Sequence, residues 1–365
     1  MSSNVGDRKG LFGFMSAILG VVIAVVILEV GLGLLKPRID PAGQMDEGFI
    51  LYDSRLGWKL APGWQGRHVH HDFDVTYRVN PLGFRGNELD FARPGSVMFL
   101  GDSFTFGLGA NDEEVFTELL DQSSGQTYLN AGVPGYSNDQ QLVLLDSLLE
   151  YRPKELVWVV YLGNDLLDNG APFPLQAAHG KPFYRLAPNG SLSLENVPVP
   201  LKPKPPAFNG KSVRSEILQG YQPYNVFQDW IANFEVGRIV NQWVGIDAKA
   251  LREHLLVSTQ EQVDLFMGFI AQGNASLEEA GIQLQVALLP GQGLTREGSI
   301  PQVYQKVLSS VLTQRLEEEG VDVLDFVSKL EIEESPESLF HPNEGHFNRA
   351  GHRWLADVFS ESLSD

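Results

Sequence analysis

Ser103 is a serine in the setting of a nucleophile. It lies in the sequence GDSFTFG at positions 101–107, directly after the apolar run VMFL at positions 97–100. A short buried strand that ends at a small polar turn and continues into a helix presents a hydroxyl at the carboxyl edge of a parallel sheet, where α/β proteins bind ligands. Free N–H groups at a helix amino terminus can stabilise the oxyanion that forms when a serine attacks an ester carbonyl. The local sequence therefore indicates nucleophilic chemistry at Ser103, whereas an isolated GDS tripeptide is more typical of a tight turn.

A serine nucleophile needs a general base, and histidines near the carboxyl end of the chain are the candidates. His346 lies in the sequence NEGHFNRAGH at positions 343–352. In doubly wound folds the loops after different strands meet at one edge of the sheet, so Ser103 and His346 can be neighbours in space. His341 has no acidic residue just upstream, and His352 lies about one and a half turns into the last predicted helix. We therefore predict that His346 is the base.

Four sequence blocks, in this order, resemble those of the SGNH, or GDSL-type, hydrolases. They are GDS at positions 101–103, NAGVPG at 130–135, GND at 163–165 and the histidine block at 343–352. The resemblance implies that Gly135 supplies a backbone N–H, and Asn164 a side-chain N–H, to an oxyanion hole. Considered alone, Gly135 could instead satisfy a turn and Asn164 a helix cap.

The chain departs from the family pattern at the residue that should orient the histidine. Members of the family usually carry an aspartate two or three residues before the histidine, whereas this chain has Glu344 and Asn343 at those positions. A glutamate can hold the imidazole tautomer and stabilise the imidazolium as an aspartate does, although its extra methylene group changes its reach. We predict that Glu344 is the orienting acid. The alternative is that a backbone carbonyl orients His346 while Glu344 faces solvent.

The composition is that of a folded, acidic protein without cysteine. The chain has 365 residues, of which 43% are hydrophobic, and a formal net charge of −19. A nucleic-acid partner is not expected, because binding to phosphate backbones requires clustered lysine and arginine. Disulfides, thiolate nucleophiles and cysteine-ligated metals are excluded. No cofactor and no metal is predicted: the cluster of His68, His70, His71, Asp72 and Asp74 is interpreted as ordinary strand residues, because side chains alternate between the faces of a strand.

An apolar stretch near the amino terminus, at positions 11–35, contains a single acidic residue, Glu29. About 25 residues at about 1.5 Å each reach ~37 Å, more than the ~30 Å hydrocarbon core of a bilayer. We predict an uncleaved transmembrane anchor at 11–35 after a cytoplasmic tail at 1–10, in the inner (cytoplasmic) membrane and with the rest of the chain periplasmic. The alternatives are a cleaved signal peptide, whose apolar region would be shorter and end in small residues, and a buried core helix.

The remaining sequence predicts a linker, a β-rich strap and a larger domain. The linker is expected at 36–47, the strap at 48–95 and the SGNH hydrolase domain at 96–365. In the strap, aromatic residues recur among glycines and prolines, which favours short strands and turns. The sequence GW at 57–58 and the sequence NPLGFRG at 80–86 look like the segment that precedes the nucleophile block in membrane-anchored bacterial relatives of this family.

In the larger domain, strand-like and helix-like segments alternate, which predicts a parallel sheet. The resemblance implies an α/β fold, a three-layer α/β/α sandwich with a flavodoxin-like, five-stranded parallel sheet. The alternation fails at 168–242, which we interpret as an insertion or lid. Its aromatic residues either wall a substrate groove or pack the insertion onto the core. These residues are Phe173, Phe183, Tyr184, Tyr221, Tyr224 and Trp230.

Three functions follow as hypotheses. The first is a membrane-anchored serine esterase, whose substrate would be an acylated glycan or lipid on the outer side of the membrane. The second is a glycan O-acyltransferase that hands the acyl group to a sugar hydroxyl from the same site. The third is a non-catalytic binding or scaffold protein on a degenerate hydrolase fold, which the missing aspartate before His346 motivates. The sequence makes no prediction about the oligomeric state.

Overall fold

The structure of the protein is a computed structural model that describes residues 4–35, 40, 43–87, 93, 95–175, 177–208, 211–221, 236 and 247–363. The chain forms two compact units. The smaller unit comprises Met1–Ile39 and Gly220–Ile246, and the larger comprises Asp40–Gln219 and Asp247–Asp365. The predicted strap and hydrolase domain therefore belong to one unit, while the end of the predicted insertion belongs to the other.

The described part of the smaller unit is dominated by one helix, α1 (Asn4–Leu35). The segment Phe14–Leu34 within it has a mean hydropathy of 2.7, and none of its residues is buried. A helix of this length and composition is able to cross a membrane, and a signal sequence shares both properties.

The larger unit contains five central strands, several short strands and the remaining helices. The strands, in chain order, are β1 (Gln44–Met45), β2 (Ile50–Asp53), β3 (Gly57–Leu60), β4 (Gln65–Val69), β5 (Asp74–Arg78), β6 (Val97–Gly101), β7 (Tyr128–Gly132), β8 (Glu155–Tyr161), β9 (Phe183–Leu186), β10 (Leu192–Glu195), β11 (Gln283–Leu289) and β12 (Asp322–Asp325). The helices are α2 (Ser103–Phe106), α3 (Phe116–Ser124), α4 (Asn138–Leu148), α5 (Asp165–Asp168), α6 (Val213–Ile217), α7 (Ala248–Ser258), α8 (Gln260–Ala280), α9 (Ile300–Glu318), α10 (Phe326–Glu331) and α11 (Arg349–Ser362).

The predicted five-stranded parallel sheet is confirmed. Its strands lie in the order β12, β11, β8, β6, β7, and every neighbouring pair is parallel. All residues of β6 are buried, as expected for a near-continuous apolar run in a strand that is covered on both faces. The strand order reverses at β6 and β8, which is the place where open α/β sheets bind ligands.

Helices cover both faces of this sheet. The register pairs Phe99 of β6 with Val157 of β8, so Phe99 and the next residue of β8, Trp158, lie on opposite faces. The Phe99 ring lies 4.9 Å from Phe116 of α3 and 4.8 Å from Phe359 of α11. On the other face, the Trp158 indole N–H donates to a glutamine of α4, and its ring packs against a phenylalanine of α8. The sheet and its two helical layers therefore form a three-layer α/β/α sandwich.

The strap consists of the hairpin β2–β3 and a sheet in the order β1, β4, β5. Strand β1 pairs with β4, so the last residues of the predicted linker are already part of the strap; residues 36–39, 41 and 42 lie outside the described residues. The NPLGFRG motif ends the strap. Its arginine, Arg85, is buried and donates to the carbonyls of Phe106, Gly107 and Ala110 at 2.7–2.8 Å and to the carboxylate of Asp112. One guanidinium thus attaches the strap to the loop after α2.

The predicted insertion is more regular than its sequence indicates, because β9 and β10 form an antiparallel hairpin within it. Its predicted aromatic residues Phe183, Tyr184 and Tyr221 are buried, and the Tyr184 ring packs against a phenylalanine of α8. This packing favours an attachment role over a groove wall for Tyr184. Tyr224 and Trp230 lie outside the described residues.

A buried ion pair fixes the insertion to the core. Lys181 Nζ lies 2.6 Å from a carboxylate oxygen of Asp139, which is in the first turn of α4, and neither side chain is exposed. The same carboxylate accepts from the backbone N–H groups of Tyr184 at 2.8 Å and Gly170 at 3.0 Å. Hydrogen bonds therefore satisfy both buried charges, as burial of an ion pair requires.

We expect Lys181→Met to lower the free energy of unfolding of the full-length protein by about 3–5 kcal/mol, because it leaves the Asp139 charge buried without its partner. Chemical denaturation in detergent measures this change. The matched control is Arg55→Met, which breaks the exposed Arg55–Asp146 ion pair and should change stability little. An equal fall in the free energy of unfolding in both variants would contradict the idea that burial makes the Lys181–Asp139 pair important for stability.

Candidate active site

Ser103 lies at the carboxyl end of the central strand β6, as the first residue of α2. The preceding Asp102 caps this short helix, because its side chain accepts from the Phe104 N–H at 2.9 Å. A Cβ atom on Gly101 would overlap the Thr105 side chain, so glycine is required where the strand turns into the helix. This local geometry sets the Ser103 hydroxyl at the edge of the sheet.

His346 and Glu344 lie beside that hydroxyl. His346 Nε2 is 2.7 Å from Ser103 Oγ, and His346 Nδ1 is 2.7 Å from Glu344 Oε1. The second carboxylate oxygen of Glu344 accepts from the His346 backbone N–H at 3.0 Å. With Nδ1–H donating to the carboxylate, Nε2 is free to accept the serine proton. The structure thus brings the predicted nucleophile, base and acid together, and Glu344 faces the imidazole rather than solvent.

The charges around His346 favour its protonated form. Burial disfavours the imidazolium, but the attraction of Glu344, its hydrogen bond and the nearby Asp102 outweigh burial and raise the pKa of His346 above its ordinary value. Burial alone would raise the pKa of the Glu344 carboxyl. The charge and hydrogen bonds of His346 outweigh burial and lower this pKa below its ordinary value. Burial raises the pKa of Asp102 to about 6. A proton taken from Ser103 would therefore be held on His346.

The two rival histidines have other partners. His341 Nε2 lies 3.2 Å from the Gly109 carbonyl, and burial lowers the pKa of its imidazole. His352 is buried in α11, where burial and then the charge of Arg85 lower its pKa to about 3. Of the three candidates, His346 is the one that the structure places within hydrogen-bonding distance of Ser103.

The two predicted oxyanion-hole residues follow the strands on either side of β6. Gly135 comes after β7 and has a φ of +81°, a conformation that favours glycine. Asn164 comes after β8 and precedes α5, but its side chain does not cap that helix. One of its amide N–H groups donates to Asp168 at 2.7 Å, which leaves the second for a ligand. Asp168 also accepts from the Leu175 N–H of the insertion at 2.6 Å.

An aromatic stack that sequence analysis did not identify supports the imidazole. The Phe104 ring lies 4.3 Å from the His346 ring and stacks on Tyr161 at 4.0 Å. Phe104 directly follows Ser103, and Tyr161 ends β8 just before the GND block at 163–165. The only available signal was the position of these aromatic residues at the predicted sheet edge.

Two of the three histidines at positions 68–71 of the strap have structural partners. His68 Nδ1 lies 2.9 Å from the Tyr77 hydroxyl, and His70 Nδ1 accepts from the Asp72 N–H at 3.1 Å. Among the residues that the structure describes, no group of three or more histidine, aspartate or glutamate side chains is arranged to hold a metal ion.

No protein-family model matches the chain, and no curated protein matches it. Solved structures similar to it include a member of the lipolytic protein G-D-S-L family from Veillonella parvula (13% identity, 74% of this chain and 98% of that one, TM-score 0.38). Another is the psychrotrophic esterase EstA from Pseudoalteromonas sp. (14% identity, 74% of this chain and 97% of that one, TM-score 0.36). A third is a lipase/acylhydrolase from Enterococcus faecalis (13% identity, 74% of this chain and 95% of that one, TM-score 0.34). At these identities and TM-scores the likeness establishes neither the family nor the activity of this chain. Its own fold and site define an α/β protein with a serine–histidine–carboxylate arrangement.

We expect Glu344→Gln to lower the pKa of His346, because it removes the charge that stabilises the imidazolium while the burial that opposes it remains. Histidine-selective NMR titration of the full-length protein in detergent measures the midpoint, with His346→Gln used to assign the signal. Glu337→Gln removes an equal charge from an exposed position in the same segment and should leave the midpoint unchanged. An unchanged midpoint in Glu344→Gln would show that another group orients the imidazole.

Proposed function

We propose that this protein is a membrane-anchored serine esterase of the SGNH type, which cleaves O-acyl esters through an acyl-enzyme on Ser103. The observation that carries the proposal is the continuous chain of hydrogen bonds from Ser103 Oγ through His346 to Glu344. A serine hydroxyl is a weak nucleophile until an adjacent base takes its proton, and this chain supplies both the base and the group that orients it.

In the proposed reaction, Ser103 Oγ bonds to the ester carbonyl carbon while His346 Nε2 takes the hydroxyl proton. The carbonyl oxygen becomes an oxyanion, which the Ser103 N–H, the Gly135 N–H and the Asn164 amide would stabilise. The bond to the alcohol then breaks, and His346 returns its proton to the leaving oxygen. Water attacks the acyl-enzyme with the same general-base assistance, which releases the acid and restores Ser103.

The geometry weakens the case for a non-catalytic scaffold. That hypothesis arose because the aspartate expected before His346 is missing. Glu344 Oε1 lies 2.7 Å from His346 Nδ1, a distance that supports an orienting role for this carboxylate. The serine, imidazole and carboxylate required for covalent catalysis are therefore all present and hydrogen-bonded.

The proposal includes a location and a substrate class. Helix α1 would remain as a single-pass anchor in the cytoplasmic membrane, with the larger unit on the periplasmic side. Its length and hydropathy are those of a membrane span. The substrate would then be an ester-bearing glycan or lipid of the cell envelope. Transfer of the acyl group to a sugar hydroxyl requires the same acyl-enzyme and differs only in the acceptor.

We expect Ser103→Ala, His346→Ala and Glu344→Ala to lower kcat for p-nitrophenyl esters by about 10³- to 10⁴-fold. The assay uses the full-length protein in detergent with short- and medium-chain esters. Ser147→Ala, which alters an exposed serine of α4, should keep full activity. Absence of turnover of every ester by the wild type would refute the esterase, unless added oligosaccharide restores turnover as acyl transfer.

We expect Asn164→Ala to lower kcat by about 10²- to 10³-fold with little change in KM, because an oxyanion donor acts mainly in the transition state. Steady-state kinetics on the same esters measure the two constants separately. Asn189→Ala, at an exposed turn between β9 and β10, is the control. A rise in KM with unchanged kcat would assign Asn164 to substrate binding instead.

A further inference from the structure

The carboxylate of Asp72 joins the strap by hydrogen bonds to the loop that carries Glu344 and His346. Asp72 lies in the turn between β4 and β5. One of its carboxylate oxygens accepts from the backbone N–H groups of Asn343 at 2.8 Å and Glu344 at 3.0 Å. The other accepts from the Asn343 side-chain amide at 2.6 Å. Three hydrogen bonds therefore join the strap to the residue that orients His346 and to its neighbour.

Asp72 is held firmly on its own side. Its side chain is only 3% exposed, and its backbone N–H donates to the buried His70 ring. Burial disfavours the charged carboxylate, but the hydrogen bonds from Asn343 and Glu344 outweigh burial and lower the pKa of Asp72. The carboxylate is thus ionised at neutral pH, and charge-assisted hydrogen bonds of this kind are stronger than neutral ones.

The loop that receives these bonds is tight. Gly345, between Glu344 and His346, has a φ of +95°, and its N–H donates to the His341 carbonyl at 2.9 Å. The His341 N–H in turn donates to the His346 carbonyl at 2.8 Å. These bonds fix the shape of the loop, while Asp72 fixes the backbone of Glu344 from outside the loop.

We propose that Asp72 is a positioning residue of the site, which clamps Asn343 and Glu344 so that the Glu344 carboxylate stays against His346. The inference rests on the proposed function for its kinetic readout. It also explains the departure from the family pattern at position 343. An aspartate there would face Asp72 with a second negative charge, whereas the amide of Asn343 donates to it.

This interpretation predicts a rescue by exchange of the two side chains. Asp72→Asn weakens the clamp, because a neutral amide is a poorer hydrogen-bond acceptor than a carboxylate. Its own N–H group can also face the N–H group that Asn343 donates, so that two donors meet. Asn343→Asp sets two carboxylates against each other. In the double variant, the new amide at position 72 can donate to the new carboxylate at position 343, while its oxygen still accepts from the backbone N–H groups.

The first experiment measures ester hydrolysis by the full-length protein in detergent. We expect each single variant, Asp72→Asn and Asn343→Asp, to lower kcat by about tenfold to a hundredfold with KM changed by less than about twofold. The double variant should recover most of the lost kcat, because the two changes are coupled. The control is Asp74→Asn in the same strap, because the ion pair of Asp74 with Arg67 is exposed and its loss should leave kcat unchanged.

The second experiment does not depend on turnover. The NMR titration midpoint of His346 should fall in Asp72→Asn and stay unchanged in Asp74→Asn, since a displaced Glu344 stabilises the imidazolium less. Both variants leave the other titratable or charged groups around this assembly in place, which include Asp102, His341, His352, His70, Tyr77, Tyr161, Arg85, Asp112 and Asp165. Thermal unfolding verifies that each variant is folded. If Asp72→Asn fails to fold, Asn343→Ala, which removes a single hydrogen bond, should produce a smaller fall in both kcat and the midpoint.

The outcomes separate the two proposals. A wild type without esterase or transferase turnover, combined with a lower His346 midpoint in Asp72→Asn, would refute the proposed function and support the clamp. A folded Asp72→Asn variant with wild-type kcat and midpoint would overturn the clamp and leave the esterase intact. A folded double variant that recovers none of the lost kcat would also count against the clamp.

Discussion

The imidazole of His346 has to satisfy two partners at once, and the larger unit is arranged around that requirement. The ring is rigid, and its two nitrogens lie 2.7 Å from Ser103 Oγ and 2.7 Å from Glu344 Oε1. Ser103 is fixed by β6 in the interior of the sheet, whereas Glu344 and His346 share a loop whose ends are joined by a bridge between Phe340 and Phe347. A displacement of either support would lengthen one of the two bonds. Catalytic groups of this kind depend on such preorganisation.

The strap is therefore part of the site and not an appendage to it. Arg85 binds the carbonyls of the loop after α2, and Asp72 binds the loop before α11. Between them, the Tyr77 hydroxyl accepts from the Gly109 N–H at 2.8 Å. The strap uses two buried charges and one phenol to hold the loop that follows α2, the helix that begins at Ser103, and the loop that carries Glu344 and His346. Each buried group is satisfied by hydrogen bonds, which offsets the cost of removing it from water.

The parts of the fold that could be predicted from sequence are those with a local signal. The apolar run at 97–100 predicts the buried strand β6, because apolar runs between turns mark buried strands, and the alternation of strand-like and helix-like segments predicts the parallel sheet. The hairpin β9–β10 was missed, because its two strands are short, partly exposed and surrounded by prolines and glycines.

For the site, the residue types and their order in the chain were enough to select Ser103, His346 and Glu344, which the structure brings together. They were not enough to find Asp72. It lies 271 residues before Asn343, and nothing in the residues around it indicates a long-range partner. Among the neighbouring histidines it resembled a weak metal ligand, because sequence shows side-chain chemistry but not which distant backbone N–H groups a carboxylate will meet.

The separation between Asp72 and Glu344, 272 positions along the chain, also concerns the order of events during synthesis. A chain made from its amino end exposes Ser103 and the whole strap long before the histidine loop exists. Until that loop arrives, the serine hydroxyl has no base and the Asp72 carboxylate has no N–H groups to bind. Contacts between residues so far apart form late in folding, since a long loop must first be closed. The proposed active site can therefore assemble only after the loop with Glu344 and His346 has been synthesised.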